Sequence, residues 1–230
     1  MADFTGLTVL VTGGSRGIGY ATAQAFLAQG ARVAVCARDP GRLEAAQSQL
    51  RGMGEVYTQA VAVQDHHQVA RFVSAVLHRY GGIDVLVNNA GVVWVGDFVD
   101  QSYDSIDGVI DVNTKGVMYF ARAVLPSMIK QGRGVIINVS SGAGLSGFPH
   151  VVSYCTSKFA VVGFTESLHQ EVQAYGIRVH GVCPGRVATD MQVQYSGHRA
   201  GAAPEKVAGK ILQLAGAKAR ARGGSCVTVT

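Results

Sequence analysis

Seven short, almost unbroken apolar runs punctuate this chain, at 7–11, 32–37, 55–63, 84–87, 134–139, 177–183 and 226–229. Runs of that length, rich in β-branched residues and without polar alternation, are what strands covered on both faces look like. Between them lie longer segments with helical spacing, at 17–29, 42–51, 68–80, 105–130, 153–174 and 204–215. Parallel strands need a crossover of about a dozen residues, and these segments supply it. The βαβ alternation therefore predicts an α/β fold, a doubly wound parallel sheet of about seven strands with helices on both faces. With 230 residues, 48% hydrophobic and 15% charged, the chain suits a single domain over 1–230 with one large core. The segment 192–203, rich in Gly, Ala and polar residues, is expected to be its most mobile loop.

Other features narrow the function by exclusion. A net charge of +5 invites a polyanionic partner, but the basic residues are scattered, apart from Lys218, Arg220 and Arg222. That cluster reads better as a solvated helix end than as a nucleic-acid site. Cys36, Cys155, Cys183 and Cys226 are far apart and form no C-x-x-C, so neither a zinc site nor a disulfide framework is indicated. A reducing, cytoplasmic setting is expected. The start, Met1-Ala-Asp-Phe-Thr-Gly6, lacks a charged leader and an apolar signal core. No run of about 18 apolar residues is available to span a bilayer. The expectation is a soluble protein with neither a nucleic-acid nor a membrane partner.

Directly after the first run comes Thr12-Gly-Gly-Ser-Arg-Gly-Ile-Gly19, opening onto an amphipathic helical segment. Glycines there let backbone turn tightly against a pyrophosphate, whose charge is favoured by free N–H groups and the helix dipole. Gly13, Ser15, Arg16, Gly17, Ile18 and Gly19 are thus the candidate phosphate-binding residues of a Rossmann-like nucleotide site. The spacing T-G-x-x-x-G-x-G differs from the common G-x-G-x-x-G, so the latter's rules do not simply transfer. The second run ends Val35-Cys-Ala-Arg38. A carboxylate there would hydrogen-bond a ribose 2′-OH, whereas an arginine accommodates a 2′-phosphate. Ala37 fills the carboxylate's place and Arg38 follows it, with Arg16 as a second guanidinium, so the expected cofactor is NADP (NADPH). Asp39 competes for the ribose, but Asp39-Pro40 reads better as a helix N-cap followed by proline at the first helical position.

Tyr154 and Lys158 lie four residues apart in a helical segment, on one face, where an ammonium can ease ionisation of a phenol. Alone, such a pair usually marks a solvated helix face. Ser141, at the end of the fifth run, and Asn113, in Asp-Val-Asn-Thr-Lys-Gly116, are further polar candidates. Each has a plain structural alternative, Asn113 as a helix-interior group bonded to backbone and Ser141 as part of a strand-end turn.

Taken in order, the glycine loop, Asn88-Asn-Ala-Gly91, Asn113, Ser141, Tyr154, Lys158 and Pro184-Gly-Arg-Val-Ala-Thr189 resemble the short-chain dehydrogenase/reductase family over about 7–191. Within it the chain looks like the compact single-domain branch that contains 3-oxoacyl-carrier-protein reductases and tropinone-type reductases. The resemblance implies an NADPH-dependent oxidoreductase that reduces a carbonyl, of ketone or 3-oxoacyl type, reversibly to an alcohol. It implies Tyr154 as general acid, Lys158 as the group that lowers its pKa and holds the nicotinamide ribose, and Ser141 as donor to the substrate oxygen. Asn113 would hold a water linking Lys158 to solvent. Asn89, Ala90 and Gly91 would line the ribose and phosphates, although Asn88 and Asn89 also read as side-chain ties between strands. Pro184, Gly185, Val187 and Thr189 would meet the nicotinamide side. The family-like assembly is a homodimer through the segments 105–130 and 153–174.

Two departures stand out. After the third strand the family usually has Asp-Val, the carboxylate meeting the adenine amine, but here the residues are Ala62-Val63. Two alternatives stay open, a backbone contact from Val63 and the displaced carboxylate of Asp65. The segment after Met191 is short, which suggests an open or shallow pocket and weakens a tetramer built on the last strand. Trp94, Val95, 145–150 and 192–195 are the positional candidates for the substrate pocket, mostly apolar or neutral. His150 reads first as a surface residue, and Lys115, Arg122 and Arg133 are candidate docking cations. The competing function is a catalytically silent NADP-binding regulatory protein; an epimerase or dehydratase of nucleotide sugars normally needs a longer substrate domain.

Overall fold

The computed structural model describes residues 4–217 and 221–229. Among them, seven parallel strands form one sheet in the order β3-β2-β1-β4-β5-β6-β7. The strands are β1 (Thr8–Thr12), β2 (Arg32–Ala37), β3 (Val56–Ala60), β4 (Val85–Asn88), β5 (Gly134–Val139), β6 (Ile177–Pro184) and β7 (Cys226–Val229). The helices are α1 (Gly17–Leu27), α2 (Pro40–Leu50), α3 (His66–Tyr80), α4 (Tyr103–Ile110), α5 (Gly116–Gln131), α6 (Val152–Val172), α7 (Asp190–Ser196) and α8 (Pro204–Ala215). The doubly wound architecture read from the apolar runs is the one observed.

The unbroken apolar character of the strands follows from this burial. Alternate residues of one strand enter different cores, because successive side chains leave opposite faces of the sheet. Val9 and Val11 of β1, and Val135, Ile137 and Val139 of β5, pack with Phe26 of α1, Leu43 of α2 and Ile211 of α8. Leu10 and Ile136, between them, pack with Phe72 of α3, Phe120 of α5 and Leu168 of α6. From β1 the chain winds outward to β2 and β3, then returns to place β4 on the other side of β1. Between the carboxyl ends of β1 and β4 the crossovers diverge, which opens a crevice there.

The single helix expected over 105–130 is two helices joined by a π-helical turn, Asp111–Lys115. Asn113 sits inside that turn, fully buried, and its side-chain hydrogen bonds to Val92 and Ser157 supply the reason for the widened geometry. The loop expected over 192–203 begins instead within α7. Thr189 caps that helix, accepting from Gln192 N–H at 3.4 Å, and Gly197 closes it in the left-handed region at φ 78°. Of the basic cluster Lys218, Arg220 and Arg222, the first two lie outside the described residues; α8 ends at Ala215, so the helix-end reading does not reach Arg222.

His180 of β6, paired in register with Ile137 of β5, is fully buried. Burial foremost, then the charges of Arg178 and His169, lower its imidazole to about 4, against an opposing pull from the Arg222 backbone. The unfolded chain, with an ordinary value of 6.5, therefore takes up this proton before the folded one. Stability contributed by the neutral ring is present above pH 6.5 and is lost as pH falls towards about 4. His180→Leu is expected to flatten that acid slope, read from urea midpoints through the same range.

Candidate active site

The glycine loop turns between β1 and α1 because two of its glycines occupy the left-handed region, Gly13 at φ 66° and Gly17 at φ 57°. A side chain on Gly13 would also meet the Ala90 Cα at 2.8 Å. The loops after β1 and β4 are stitched together. Thr12 Oγ1 accepts from the Asn89 and Ala90 N–H groups, each at 3.0 Å. The Asn89 amide donates back to Thr12 O at 2.9 Å and Gly13 O at 3.2 Å. Asn88 ties β4 to β5 through Asn138 Oδ1 at 2.9 Å. Both asparagines thus make the structural ties that the sequence allowed for, and Asn89 also lines the cleft.

A cleft of about 830 Å³ runs along the carboxyl ends of the strands. Gly13, Ser15, Arg16, Gly17 and Ile18 line one part of it, with Ala37, Arg38 and Val63 beside them. Asn89, Ala90 and Gly91 form its floor, and Ser141, Tyr154, Lys158, Pro184, Gly185, Val187 and Thr189 line the far end. Two predicted residues stand apart. Gly19 is not part of the lining; a Cβ there would collide with the Asn89 amide and Gly13 O, so its role is close packing of helix against loop. Asn113 lies behind the wall, with no exposed surface.

The first turn of α1 carries no acidic residue and its N-cap, Arg16, makes no side-chain capping bond. Its N–H groups and positive dipole end are therefore suited to an anion in the cleft. At the end of β2 one carboxylate, that of Asp39, lines the cleft beside Arg38. Asp39 caps α2, accepting from Arg42 N–H at 3.0 Å, and that bond foremost lowers its pKa. Arg42, in the first turn of α2, also lines the cleft, and its guanidinium pairs with Asp39 at 3.6 Å. Its place near the start of α2 is legible in the sequence, but its approach to the cleft depends on how α2 packs. Arg16 is not free: its guanidinium pairs with Asp190 of α7, which also pairs with Arg199. Asp65 does not turn toward the cleft either. It caps α3, accepting from His67 N–H at 2.9 Å and Gln68 N–H at 3.1 Å.

At the far end, Ser141 follows β5 and caps a short 3-10 turn, its Oγ accepting from Ala143 N–H at 3.1 Å. Tyr154 and Lys158 project from adjacent turns of α6, with Lys158 Nζ 5.6 Å from the Tyr154 ring centre. Lys158 is 3% exposed and donates to Val139 O at 3.0 Å. Burial lowers its ammonium to about 8. Burial raises the Tyr154 phenol, and the hydrogen bond with Ser141 opposes that rise. Gly144 lets this strand end approach α6, since a Cβ there would strike Ser140 Oγ and the Lys158 carbonyl.

Asn113 clamps the site from behind. Its Oδ1 accepts from Val92 N–H at 2.8 Å, while its Nδ2 donates to Val92 O and Ser157 Oγ, each at 2.9 Å. Both amide hydrogens are engaged, which fixes the orientation of the side chain.

The substrate end corrects several positional expectations. Val93 rather than Trp94 lines the cleft, and the Trp94 ring lies over Gly96. Val95 packs against Val93, Ala143 and Val151. Phe148, Val151, Met191, Gln192 and Tyr195 line the cleft, whereas Leu145 and His150 do not. His150, with φ 63°, pairs with Asp97 at 2.7 Å. α7 reaches across to the loop after β4, Gln194 Nε2 donating to Val93 O at 3.0 Å. Two of the docking cations have partners on this chain, Lys115 with Asp111 at 2.6 Å and Arg133 with Asp84 at 3.1 Å.

Residues 7–200 match the family described as short chain dehydrogenase. The chain is 41% identical over 193 residues to Oxidoreductase UcpA of Escherichia coli strain K12, covering 83% of this chain and 73% of that protein. It is 38% identical over 187 residues to the 3-oxoacyl-[acyl-carrier-protein] reductase FabG of Thermotoga maritima, covering 81% and 76%. The crystal structure of levodione reductase superposes with a TM-score of 0.93 at 28% identity, covering 98% of this chain and 96% of that one.

Removing the clamp tests its structural weight. Asn113→Ala leaves the half-buried Val92 N–H and C=O without these partners, each at a cost of up to about 1 kcal/mol. A lowered urea midpoint with an unchanged m-value is the expected result.

Proposed function

The chain belongs to the short-chain dehydrogenase family, and on that premise we propose an NADP-dependent oxidoreductase that reduces a ketone-type carbonyl reversibly to an alcohol. One observation carries the reading: a half-buried phenol and hydroxyl, from Tyr154 and Ser141, and the buried Lys158 ammonium share a cleft with an uncapped, glycine-rich helix start. The nicotinamide cofactor, when bound, supplies or removes the hydride. Gly13 to Gly17 and the first turn of α1 hold its phosphates, and Val187 and Thr189 hold the carboxamide side. Lys158 turns from Val139 O to the ribose hydroxyls.

Tyr154 donates its phenolic proton to the carbonyl oxygen, and in the reverse direction its phenolate accepts that proton. Ser141 donates to the same oxygen and stabilises its developing charge. The nearby Lys158 ammonium favours the phenolate left behind, which offsets part of the burial cost. Asn113 is a positioning residue, fixing Val92 and, through Ser157, the Tyr154 turn. The mostly apolar lining by Val93, Phe148, Val151 and Met191 favours an uncharged ketone over a small anion. Arg38 and Arg42 beside the cleft, with Asp39 engaged by the α2 cap through Oδ1, favour a 2′-phosphate over a bare ribose. The reading places one catalytic domain in a cytoplasmic homodimer. Half-exposed Met118 of α5 and Phe159 of α6 support an interface on those helices.

A screen of ketones, 3-oxoacyl thioesters and steroids, followed by loss of NADPH absorbance, tests the chemistry. Tyr154→Phe is expected to lower turnover about a hundred- to ten-thousand-fold while cofactor binding persists. Undiminished turnover in that variant would sink the mechanism, and binding without turnover on any carbonyl would favour the regulatory reading.

Cofactor choice has its own test. The unmodified protein should prefer NADPH strongly over NADH, and Arg38→Asp should shrink that preference, measured as the ratio of kcat/KM values. A preference for NADH in the unmodified protein reverses the assignment.

A further inference from the structure

The cleft has two ends, and the chemistry of each is different. With the acid–base groups at one end and the helix start in the middle, the adenosine half of a dinucleotide is left with the end between β2 and β3. Val61, Val63 and Gln64 line the cleft there. Valine walls suit the faces of a purine, but a purine edge also carries donors and acceptors that need partners.

The nearby polar groups can be counted. Ala62 has no polar side chain, and its N–H donates to Gln68 Oε1 at 3.0 Å. The Asp65 carboxylate accepts three N–H bonds, from His67, from Gln68 backbone and from Gln68 Nε2 at 2.8 Å. Asp65 N–H itself donates to Ala62 O at 3.0 Å, which closes a turn with Val63 and Gln64 at its tip. The Gln64 side chain is exposed at that tip and faces the cleft. Among the described residues its amide makes no hydrogen bond.

We propose that the Gln64 side-chain amide reads the adenine edge, in the place where the sequence lacks a carboxylate. The inference rests on the dinucleotide reading above. An amide differs from a carboxylate in one decisive way: it presents an acceptor and two donors, and rotation exchanges them. Its oxygen accepts from the 6-amino group of adenine, and its nitrogen donates equally well to a 6-oxo group. Position 64 therefore contributes affinity without rejecting a hypoxanthine base, whereas an acceptor-only carboxylate would oppose the 6-oxo group.

Binding of NADP+ and of nicotinamide hypoxanthine dinucleotide phosphate, each measured by calorimetry on the whole protein, tests this without turnover. Gln64→Ala is expected to weaken NADP+ about fivefold, as for loss of one hydrogen bond. Gln64→Glu keeps the shape and removes the donors, so the ratio of the two dissociation constants should shift about tenfold toward NADP+. Using the ratio cancels the general repulsion between the new charge and the phosphates. Unchanged NADP+ affinity in Gln64→Ala, or an unchanged ratio in Gln64→Glu, overturns the inference while leaving the cofactor reading intact. Failure of the unmodified protein to bind any nicotinamide dinucleotide overturns both.

Discussion

Everything else in this molecule depends on a parallel sheet covered on both faces. Because each strand feeds alternate residues to two cores, buried polar side chains within the strand bodies are few, His180 of β6 being one, and several more gather at strand ends. The reversal of winding between β1 and β4 then opens a crevice at the carboxyl ends. Thr12, Asn88 and Asn89, and Ser140 and Ser141 all stand at or just beyond such ends. Their clustering is thus a consequence of the sheet's burial before it is a matter of chemistry.

Rigidity at that edge comes from amides and hydroxyls that bond across long sequence distances. Thr12 and Asn89 join the first and fourth loops, Asn88 and Asn138 join β4 to β5, and Asn138 continues to Thr165 of α6 at 3.0 Å. Asn113 adds the π-helical turn to the same frame. These groups are buried, where a lost partner leaves an unsatisfied donor or acceptor, so their geometry is strongly determined. The proposed acid–base groups sit on this frame rather than on a mobile loop.

The charged groups follow a different rule. Lys158 is held in a nearly dry place without a carboxylate beside it, which is why its ammonium falls to about 8. Arg38 and Arg42 lie toward solvent at the other end of the cleft, where Asp39 is engaged as a cap. Arg16 of the glycine loop and Arg199, just beyond α7, converge on Asp190, so an exposed ion pair ties α7 to the glycine loop beside the packing of Met191. Exposed pairs of this kind are individually weak, which suits an element that has to let ligands pass.

The apolar runs, their spacing and the glycine loop determined the fold, because burial on both faces and tight turns leave a local signature in residue type. The order of Ser141, Tyr154 and Lys158 was likewise legible, since a helix face and a strand end are both short-range features. Asn113 was legible as a residue but not as a clamp, because its partners Val92 and Ser157 lie on other elements. Val93 rather than Trp94 faces the cleft because strand alternation stops where β4 ends, and the loop's own packing then decides. The Arg16–Asp190 pair joins residues 174 positions apart. The freedom of Gln64 rests on Asp65 and Gln68 satisfying each other. Which polar groups remain available to a ligand was decided only by tertiary structure, because a hydrogen-bonding group is free or engaged according to its neighbours in space.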